Sequence, residues 1–217
     1  MIELEGVSKI YKEGIVALKD INLKIEKGEF VILFGSNGSG KTTLLKLLYG
    51  DERPTTGKVM VMGKDIALLN HKGIALLRQK MGMIFPDFKL LSNRTVYENV
   101  KFALEAISLS PLETKKRALS ALSRVGLGDR IDVYPDSLSS GEKQKLALAR
   151  ALSKEPFILL ADEPFGNIDA RGASELLEIL KSVNIQGTSI ILATRESSLL
   201  NIGKRVIRLE EGRIVEP

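Results

Sequence analysis

The sequence predicts an α/β fold with buried parallel strands, and three apolar stretches carry that prediction. Residues 30–34 (FVILF), 157–161 (FILLA) and 189–193 (SIILA) are short and almost continuously apolar, as in strands that a sheet buries on both faces. The first of them leads directly into a glycine-rich loop at 35–42, and an apolar helical segment follows at 43–48. Strands that alternate with helices in this way are typical of a sheet covered by helices.

The glycine-rich loop Gly35–Thr42 reads GSNGSGKT and fits the phosphate-binding pattern G-x-x-x-x-G-K-[S/T] of a P-loop. Its glycines let backbone N–H groups turn toward one anion, and the following helix N-terminus adds a partial positive charge. Lys41 is placed to reach the β- and γ-phosphates of a nucleoside triphosphate, and the Thr42 hydroxyl to bind Mg²⁺. An ordinary glycine-rich turn is the alternative, but the flanking strand and helix favour a triphosphate site. The residues expected to line it are Ser36, Asn37, Gly38, Ser39, Gly40, Lys41, Thr42 and Thr43.

Composition limits the classes of protein that remain. The 217 residues, 44% of them hydrophobic, are enough for one large domain or two intimate subdomains with a sizeable core. The absence of cysteine excludes disulfides and thiolate metal sites and fits a reducing cytoplasm. The N-terminus lacks the pattern of a signal peptide, and no apolar run approaches the roughly 20 residues that span a bilayer. The net charge of +5 is spread along the chain, which favours a solvated surface over a nucleic-acid footprint, although attraction to an anionic membrane stays open.

The first part of the chain predicts an antiparallel β-subdomain. Residues 2–10 and 19–26 are expected to form strands joined by a turn at 11–16. Tyr11 in this turn either stacks on a nucleotide base or simply packs, and its spacing alone leaves both interpretations open. An alternating edge strand is expected at 58–63.

A polar helix at 71–79 and a short apolar strand at 81–85 are expected next, and the chain ends in a predicted hairpin of strands 205–209 and 213–215. Between about 88 and 150 the pattern changes to helices, which predicts a helical subdomain inserted into an α/β core of about 1–87 and 151–217. The apolar faces of its first two helices are expected to be Val96, Val100, Ala103, Leu104 and Ile107, then Leu112, Leu119, Leu122 and Val125. In the later helix of the core, Ala173, Leu176, Leu177 and Leu180 have the same helical spacing.

Two further segments could complete a triphosphate site. Asp162 follows the strand at 157–161, where a carboxylate in a parallel sheet would face the loop, so it is the natural Mg²⁺ ligand. Glu163 could orient or deprotonate an attacking water. Ser139 and Glu142 have the spacing of a capping box, but a helix N-terminus with a glycine also offers N–H groups to an anion. Two such helix starts suggest two phosphate contacts, which need not lie in the same molecule.

Four motifs in order make the chain resemble the ATP-binding subunits of ABC transporters from end to end. They are the P-loop Gly35–Thr42, the signature Leu138–Glu142 (LSSGE), the Walker B segment Leu159–Pro164 and the D-loop Gly166–Asp169. The resemblance implies a P-loop ABC ATPase fold with a mixed sheet, and a head-to-tail homodimer that holds each ATP between one P-loop and the other signature.

The same resemblance assigns further contacts with ATP. Tyr11 resembles the aromatic residue that stacks on adenine, and Val16 is placed with it in the nucleotide site. The signature residues Ser139, Ser140, Gly141 and Glu142 are expected to contact the ATP of the second copy.

Within the family, residues 85–91 and 95–104 look most like the FtsE type, whose members act in bacterial cell division with the membrane protein FtsX. That likeness implies a peripheral location at the cytoplasmic face of the bacterial inner membrane, reached through the partner. Two alternatives stay open: the ATPase of a lipoprotein-release or macrolide exporter (LolD or MacB type), and a nucleotide-gated dimerisation module with impaired hydrolysis. A nucleic-acid-acting ABC protein is least expected, because tandem ATPase domains and a long coiled-coil insertion are lacking.

Three positions depart from the family pattern. Pro86 stands where a glutamine is expected and has neither an amide side chain nor an N–H. Arg195 replaces a histidine; it could touch the γ-phosphate as a cation, but it cannot accept a hydrogen bond as a neutral imidazole can. Ser140 replaces the first signature glycine and is the mildest change. The sequence therefore predicts ATP binding, with hydrolysis that is slow or dependent on the partner.

Overall fold

The computed structural model describes residues 1–12, 14–166 and 168–215. Its strands and helices follow one another as β1 (Ile2–Ile10), β2 (Val16–Ile25), β3 (Phe30–Phe34), α1 (Lys41–Tyr49), β4 (Thr56–Val61), β5 (Lys64–Asp65), α2 (His71–Gln79), β6 (Met81–Ile84), α3 (Val96–Glu105), α4 (Pro111–Arg124), α5 (Ser140–Leu152), β7 (Ile158–Asp162), α6 (Ala170–Ile185), β8 (Ser189–Thr194), β9 (Arg205–Glu210) and β10 (Arg213–Val215). Short 3₁₀ turns lie at Ile66–Leu68, Pro135–Ser137 and Ser197–Leu199.

These elements form two compact units. The first comprises Met1–Arg78 and Ser189–Pro217, and the second comprises Gln79–Thr188. The second unit therefore contains β6, β7 and α6 as well as the three helices of the expected helical insertion. The division of the chain near residues 88 and 150 stays a prediction.

An antiparallel sheet in the order β2-β1-β4-β5 lies in the first unit. β1 pairs with β2 on one side and with β4 on the other, so that Ile2 lies opposite both Ile25 and Val61. β2 begins at Val16 rather than at 19, because the hairpin continues until Val16 pairs with Ile10. The expectation that β4 is an edge strand is wrong, since β5 pairs with its second side.

The P-loop strand belongs to a second set of strands in the same unit. β3 pairs in parallel with β8 on one side and β9 on the other, and every residue of β8 is buried. β9 and β10 form the predicted antiparallel hairpin. The carboxyl ends of β3 and β8 therefore meet, with Phe34 opposite Thr194.

In the second unit, β6 and β7 pair in parallel and α3, α4 and α5 pack against one another. α3 buries Val96, Val100 and Leu104, as predicted. The predicted face of α4 is partly wrong: Leu112 is 80% exposed, and the buried residues are Thr114, Ala118, Ala121 and Leu122. Leu112 lies two residues before Thr114, about 200° around the helix, and so it faces the opposite side. In the described part of the chain, no helix is both long and apolar enough to cross a membrane.

Candidate functional site

The P-loop of the first unit connects β3 to α1, and backbone contacts from two neighbouring strands position it. The Gly35 N–H donates to the carbonyl of Thr194 at the end of β8, over 3.2 Å. The Gly212 N–H, in the turn between β9 and β10, donates to the Ser39 carbonyl over 3.0 Å. The loop is thus attached both to the end of the parallel strands and to the tip of the C-terminal hairpin.

Two of the loop's glycines are required by close backbone contacts. A Cβ atom on Gly35 would overlap the Leu209 carbonyl oxygen. Gly40 has φ 106°, and a Cβ atom there would lie 2.5 Å from the Ala17 carbonyl oxygen. No L-residue adopts this geometry without a backbone shift, so these positions explain why the loop follows the glycine pattern.

The N-terminus of α1 is suited to an anion. Gly40 occupies the N-cap position, where it has no side chain to hydrogen-bond the first-turn N–H groups, and the first turn contains no acidic residue. Lys41 is 5% exposed, and its ammonium group donates to the Gly35 carbonyl over 2.8 Å and to the Ser36 carbonyl over 2.9 Å. The Ser39 hydroxyl is buried and has no hydrogen-bond partner among the described residues. Helix dipole, ammonium and hydroxyl donor together favour phosphate.

Tyr11 lies beside this helix start. Its hydroxyl is 3.4 Å from the Thr43 Oγ1 atom in the first turn of α1, and the Lys9 ammonium lies 5.1 Å from the centre of its ring. Val16, at the start of β2, is 47% exposed. The structure therefore brings Tyr11 close to the P-loop, as the predicted base contact requires, while stacking itself stays a prediction. Glu13, in the same turn, lies outside the described residues.

Arg195 is the first residue after β8 and is exposed. Because Thr194 accepts the hydrogen bond from Gly35, Arg195 comes directly after the residue that anchors the P-loop. The first unit thus brings together Tyr11, the P-loop and Arg195, and the remaining predicted site residues lie in the second unit.

In the second unit, Asp162 ends β7 with 1% of its surface exposed. Glu163 follows with φ 47°, a left-handed backbone that is strained for a residue other than glycine and often marks a functional site. A buried carboxylate at a strand end is the oxygen donor that Mg²⁺ prefers. Asn167 of the D-loop lies outside the described residues, and the Asp169 carboxylate caps α6 by accepting from the Gly172 N–H over 2.8 Å.

The signature segment forms the N-terminus of α5 with a complete capping box. The Ser139 hydroxyl accepts from the Glu142 N–H over 3.3 Å, and the Glu142 carboxylate accepts from the Ser139 N–H over 2.9 Å. Mainly because of this N–H bond, the pKa of Glu142 lies below its ordinary value. Ser139 and Ser140 are exposed. A Cβ atom added to Gly141 would have the Ile168 Cγ2 atom, 4.0 Å away, as its nearest contact beyond the backbone of its own helix. The capping interpretation is confirmed, and the helix end remains open to solvent.

The segment after β6, which contains Pro86, is held by two residues that sequence reasoning missed. Asn99 is fully buried in α3; its carbonyl oxygen accepts from the Leu91 N–H over 2.8 Å, and its amide donates to three backbone carbonyls between residues 91 and 95. The Arg150 guanidinium donates to the carbonyls of Phe88 and Lys89. A polar Asn on the otherwise apolar face of α3 was the available signal for the first of these contacts.

Comparison with known proteins identifies the family. The family model described as ABC transporter matches residues 18–166. The chain belongs to the ABC transporter family. As such it is an ATP-binding subunit and an ABC-type ATPase, and the predicted fold class is confirmed.

Individual proteins are similar to this chain in sequence or in fold. The cell division ATP-binding protein FtsE of Bacillus subtilis (strain 168) is 42% identical over 216 residues, which are 99% of this chain and 95% of that protein. The methionine import ATP-binding protein MetN 1 of Oceanobacillus iheyensis is 40% identical over 221 residues, covering 100% of this chain and 65% of that protein. Among solved structures, the dimeric post-hydrolysis state of the ATP-binding cassette MJ0796 with ADP and Pi superposes with a TM-score of 0.93 at 33% identity, covering 100% of this chain and 97% of that one.

Proposed function

We propose that the chain is the ATP-binding subunit of an FtsE–FtsX-like membrane complex in bacterial cell division, where it couples ATP binding and hydrolysis to movement of its membrane partner. The observation that carries this proposal is the 42% identity with B. subtilis FtsE, which extends over nearly the full length of both proteins. The location that follows is peripheral, at the cytoplasmic face of the inner membrane, with the partner as the anchor.

ATP is bound first of all by the P-loop. The first-turn N–H groups of α1 and the Lys41 ammonium receive the β- and γ-phosphates, and Tyr11 with Val16 contacts the base. The Thr42 hydroxyl and the Asp162 carboxylate are oxygen donors of the kind that Mg²⁺ binds, and the family pattern assigns both to that ion. Bound Mg²⁺ would neutralise charge on the phosphates. Glu163 is proposed to orient the attacking water and to accept its proton.

A second copy of the chain completes each ATP site in this proposal. Its signature residues, Ser139–Glu142, approach the phosphates held by the first copy. The dimeric form of the MJ0796 cassette, a protein with the same fold, supports this arrangement. The exposed N-terminus of α5 supports it as well, because exposed N–H groups at a helix start attract anions.

We further propose that hydrolysis by the isolated chain is slow. Pro86 cannot donate or accept through its side chain, and Arg195 cannot act as a neutral hydrogen-bond acceptor. Both positions serve the attacking water in the family pattern, whereas Glu163 is retained. This protein is therefore expected to bind the nucleotide but to hydrolyse it slowly.

Copurification with a membrane protein, followed by an ATPase assay, tests the proposal. The chain is coexpressed with the product of a neighbouring gene predicted to have four membrane spans, the topology that an FtsX-like partner has. We expect stable copurification and a turnover that rises at least about tenfold over that of the isolated chain. Turnover by the isolated chain at about 1 per second or faster, typical of many enzymes, with no gain on adding the partner, would contradict it.

A transporter ATPase is the second candidate, and the 40% identity with MetN 1, a methionine import protein by its name, favours it. The identity of the copurifying membrane protein separates the two proposals. A partner with a solute pathway and substrate-stimulated ATPase activity would support the transporter, and an FtsX-like partner without such stimulation would support the cell-division complex.

A further inference from the structure

The N-terminus of α5 carries a negative charge where the proposed dimer needs to receive a phosphate. The Glu142 carboxylate accepts hydrogen bonds from both the N–H and the hydroxyl of Ser139, over 2.9 and 3.0 Å. These two donors belong to the signature segment. In the separate protomer they are therefore already used by a carboxylate of the same chain.

The two helix starts of the proposed ATP site differ in charge. The first turn of α1 contains Lys41 and no acid, whereas the first turn of α5 contains Glu142. A carboxylate in the first turn stabilises the helix through its dipole. The same charge repels a triphosphate that approaches the same N–H groups, because like charges at a few ångströms oppose each other.

Arg130 is a cation in direct contact with this carboxylate, and Lys145 adds a further favourable charge nearby. Arg130 lies in the connection between α4 and α5, and its Nη1 atom is 3.2 Å from the Glu142 Oε1 atom. A second guanidinium nitrogen donates to the Ser137 carbonyl over 3.3 Å. Arg130 thus contacts the Oε1 atom of Glu142, whereas Ser139 hydrogen-bonds the Oε2 atom. The two carboxylate oxygens are therefore held by different partners.

The structure assigns Arg130 as a positioning residue for the nucleotide-bound dimer. By pairing with Glu142 it offsets part of the charge of this carboxylate and holds it on the capping box, so that the N-terminus of α5 tolerates the triphosphate carried by a second copy. This inference rests on the proposed function, which supplies the second copy and its ATP. Arg130 acts through Glu142 and does not itself contact the nucleotide.

The experiment measures ATP-driven dimerisation in a background that does not hydrolyse ATP. Sedimentation of the Glu163→Gln chain with ATP and Mg²⁺ at low salt gives the dimer dissociation constant, which is then measured with Arg130→Gln and with Arg130→Gln/Glu142→Gln. The pair is partly exposed, so we expect about a threefold loss at each site and about a tenfold weaker dimer. The added Glu142→Gln change should restore most of that loss, because the amide keeps the cap without the charge.

Two further variants control for folding and for surface charge. Arg130→Lys keeps the charge and should dimerise nearly as the parent does. Arg117→Gln removes a half-buried arginine that pairs with Glu113 and Glu155 in the same unit and should leave the dimer unchanged. A general loss of structure would not be reversed by Glu142→Gln, so the rescue separates a charge effect from a folding effect.

The outcomes distinguish the inference from the proposed function. If the parent dimerises with ATP but Arg130→Gln has no effect, or its loss is not restored by Glu142→Gln, the role of Arg130 is wrong while the proposed dimer stands. If the parent does not dimerise with ATP at any accessible concentration, the proposed dimer fails, and the inference about Arg130 fails with it. Rescue in the double variant supports both.

Discussion

Replacing Gly40 with alanine should disrupt the P-loop far more than the same change at Gly38, although both glycines have positive φ. Gly38 has φ 78°, and a Cβ atom built there meets no atom within 4 Å. Gly40 has φ 106°, and its Cβ atom would lie 2.5 Å from the Ala17 carbonyl oxygen and 2.8 Å from the Leu18 Cδ2 atom. The two variants share the residue change and differ in steric overlap, so each is the other's control.

The expected free energies follow from these contacts. At Gly38, alanine pays a left-handed strain of about 1–2 kcal/mol, offset by about 0.4–1 kcal/mol from the reduced entropy of the unfolded chain. The net loss in the free energy of unfolding is therefore about 1 kcal/mol. At Gly40, backbone strain of about 1–3 kcal/mol adds to overpacking of about 1–3 kcal/mol. With the same unfolded-chain offset as at Gly38, the loss centres on about 3 kcal/mol.

Urea unfolding, followed by far-ultraviolet circular dichroism, measures the stability difference between the two variants. Binding of a fluorescent ATP analogue should also fall more for Gly40→Ala, because a shift at this position displaces the first turn of α1. Equal loss of stability in the two variants, or a Gly40→Ala protein within about 1 kcal/mol of the parent, would refute the steric argument.

Four further predictions concern individual side chains. Lys41→Ala should weaken ATP binding at least about tenfold, measured by fluorescence titration, since it removes a charge-assisted phosphate contact; unchanged affinity would contradict the site. Arg195→His should raise turnover of the isolated chain several-fold in a phosphate-release assay, and no gain would remove Arg195 as a cause of slow hydrolysis. Asn99→Ala should lower the free energy of unfolding by about 1–3 kcal/mol, because the half-buried Leu91 N–H and Arg94 carbonyl lose their hydrogen-bond partner; a loss well below about 1 kcal/mol in urea unfolding would contradict this. The pKa of Glu142 is lowered from 4.5, so the ionised carboxylate stabilises the fold fully above that pH, and this stabilisation is lost as the pH falls through the folded-state pKa. The difference in urea midpoint between the parent and Glu142→Gln should therefore shrink from pH 7 to pH 4. A difference that stays constant would contradict this prediction.

The parts of the fold that were predicted correctly depend on local pattern. The apolar run at 30–34 and the loop that follows specify a strand and a P-loop through their own residues. Likewise, Ser139 and Glu142 specify a capping box within a single turn. Leu112 was assigned to the wrong face because its seven-residue spacing from Leu119 suggested an apolar stripe, whereas the buried face is formed largely by Thr114, Ala118 and Ala121, which an apolar pattern does not mark.

The parts that were missed depend on residues far apart in sequence. Gly212 supports the P-loop through Ser39, although 173 positions separate them along the chain (212 − 39). Arg150, in α5, holds the backbone of residues 88–89 in the segment between β6 and α3. Arg130 also reaches Glu142 only because the connection between α4 and α5 folds back. No periodicity or motif marks such contacts, since only the tertiary fold brings their partners together.

The two helix N-termini of the proposed ATP site both have to receive a phosphate, but they are prepared for it in opposite ways. The start of α1 binds its phosphate within the same chain, so glycine at the N-cap and Lys41 leave the site ready at all times. The start of α5 meets a phosphate only when a second copy arrives, and until then it is exposed to solvent with the N–H groups of Ser139 and Glu142 held in the capping box. A capping box with Glu142 stabilises the helix in that interval, and the added charge then has to be neutralised when the dimer forms. On this argument an acidic residue at the signature requires a nearby cation, and in this chain Arg130 occupies that position.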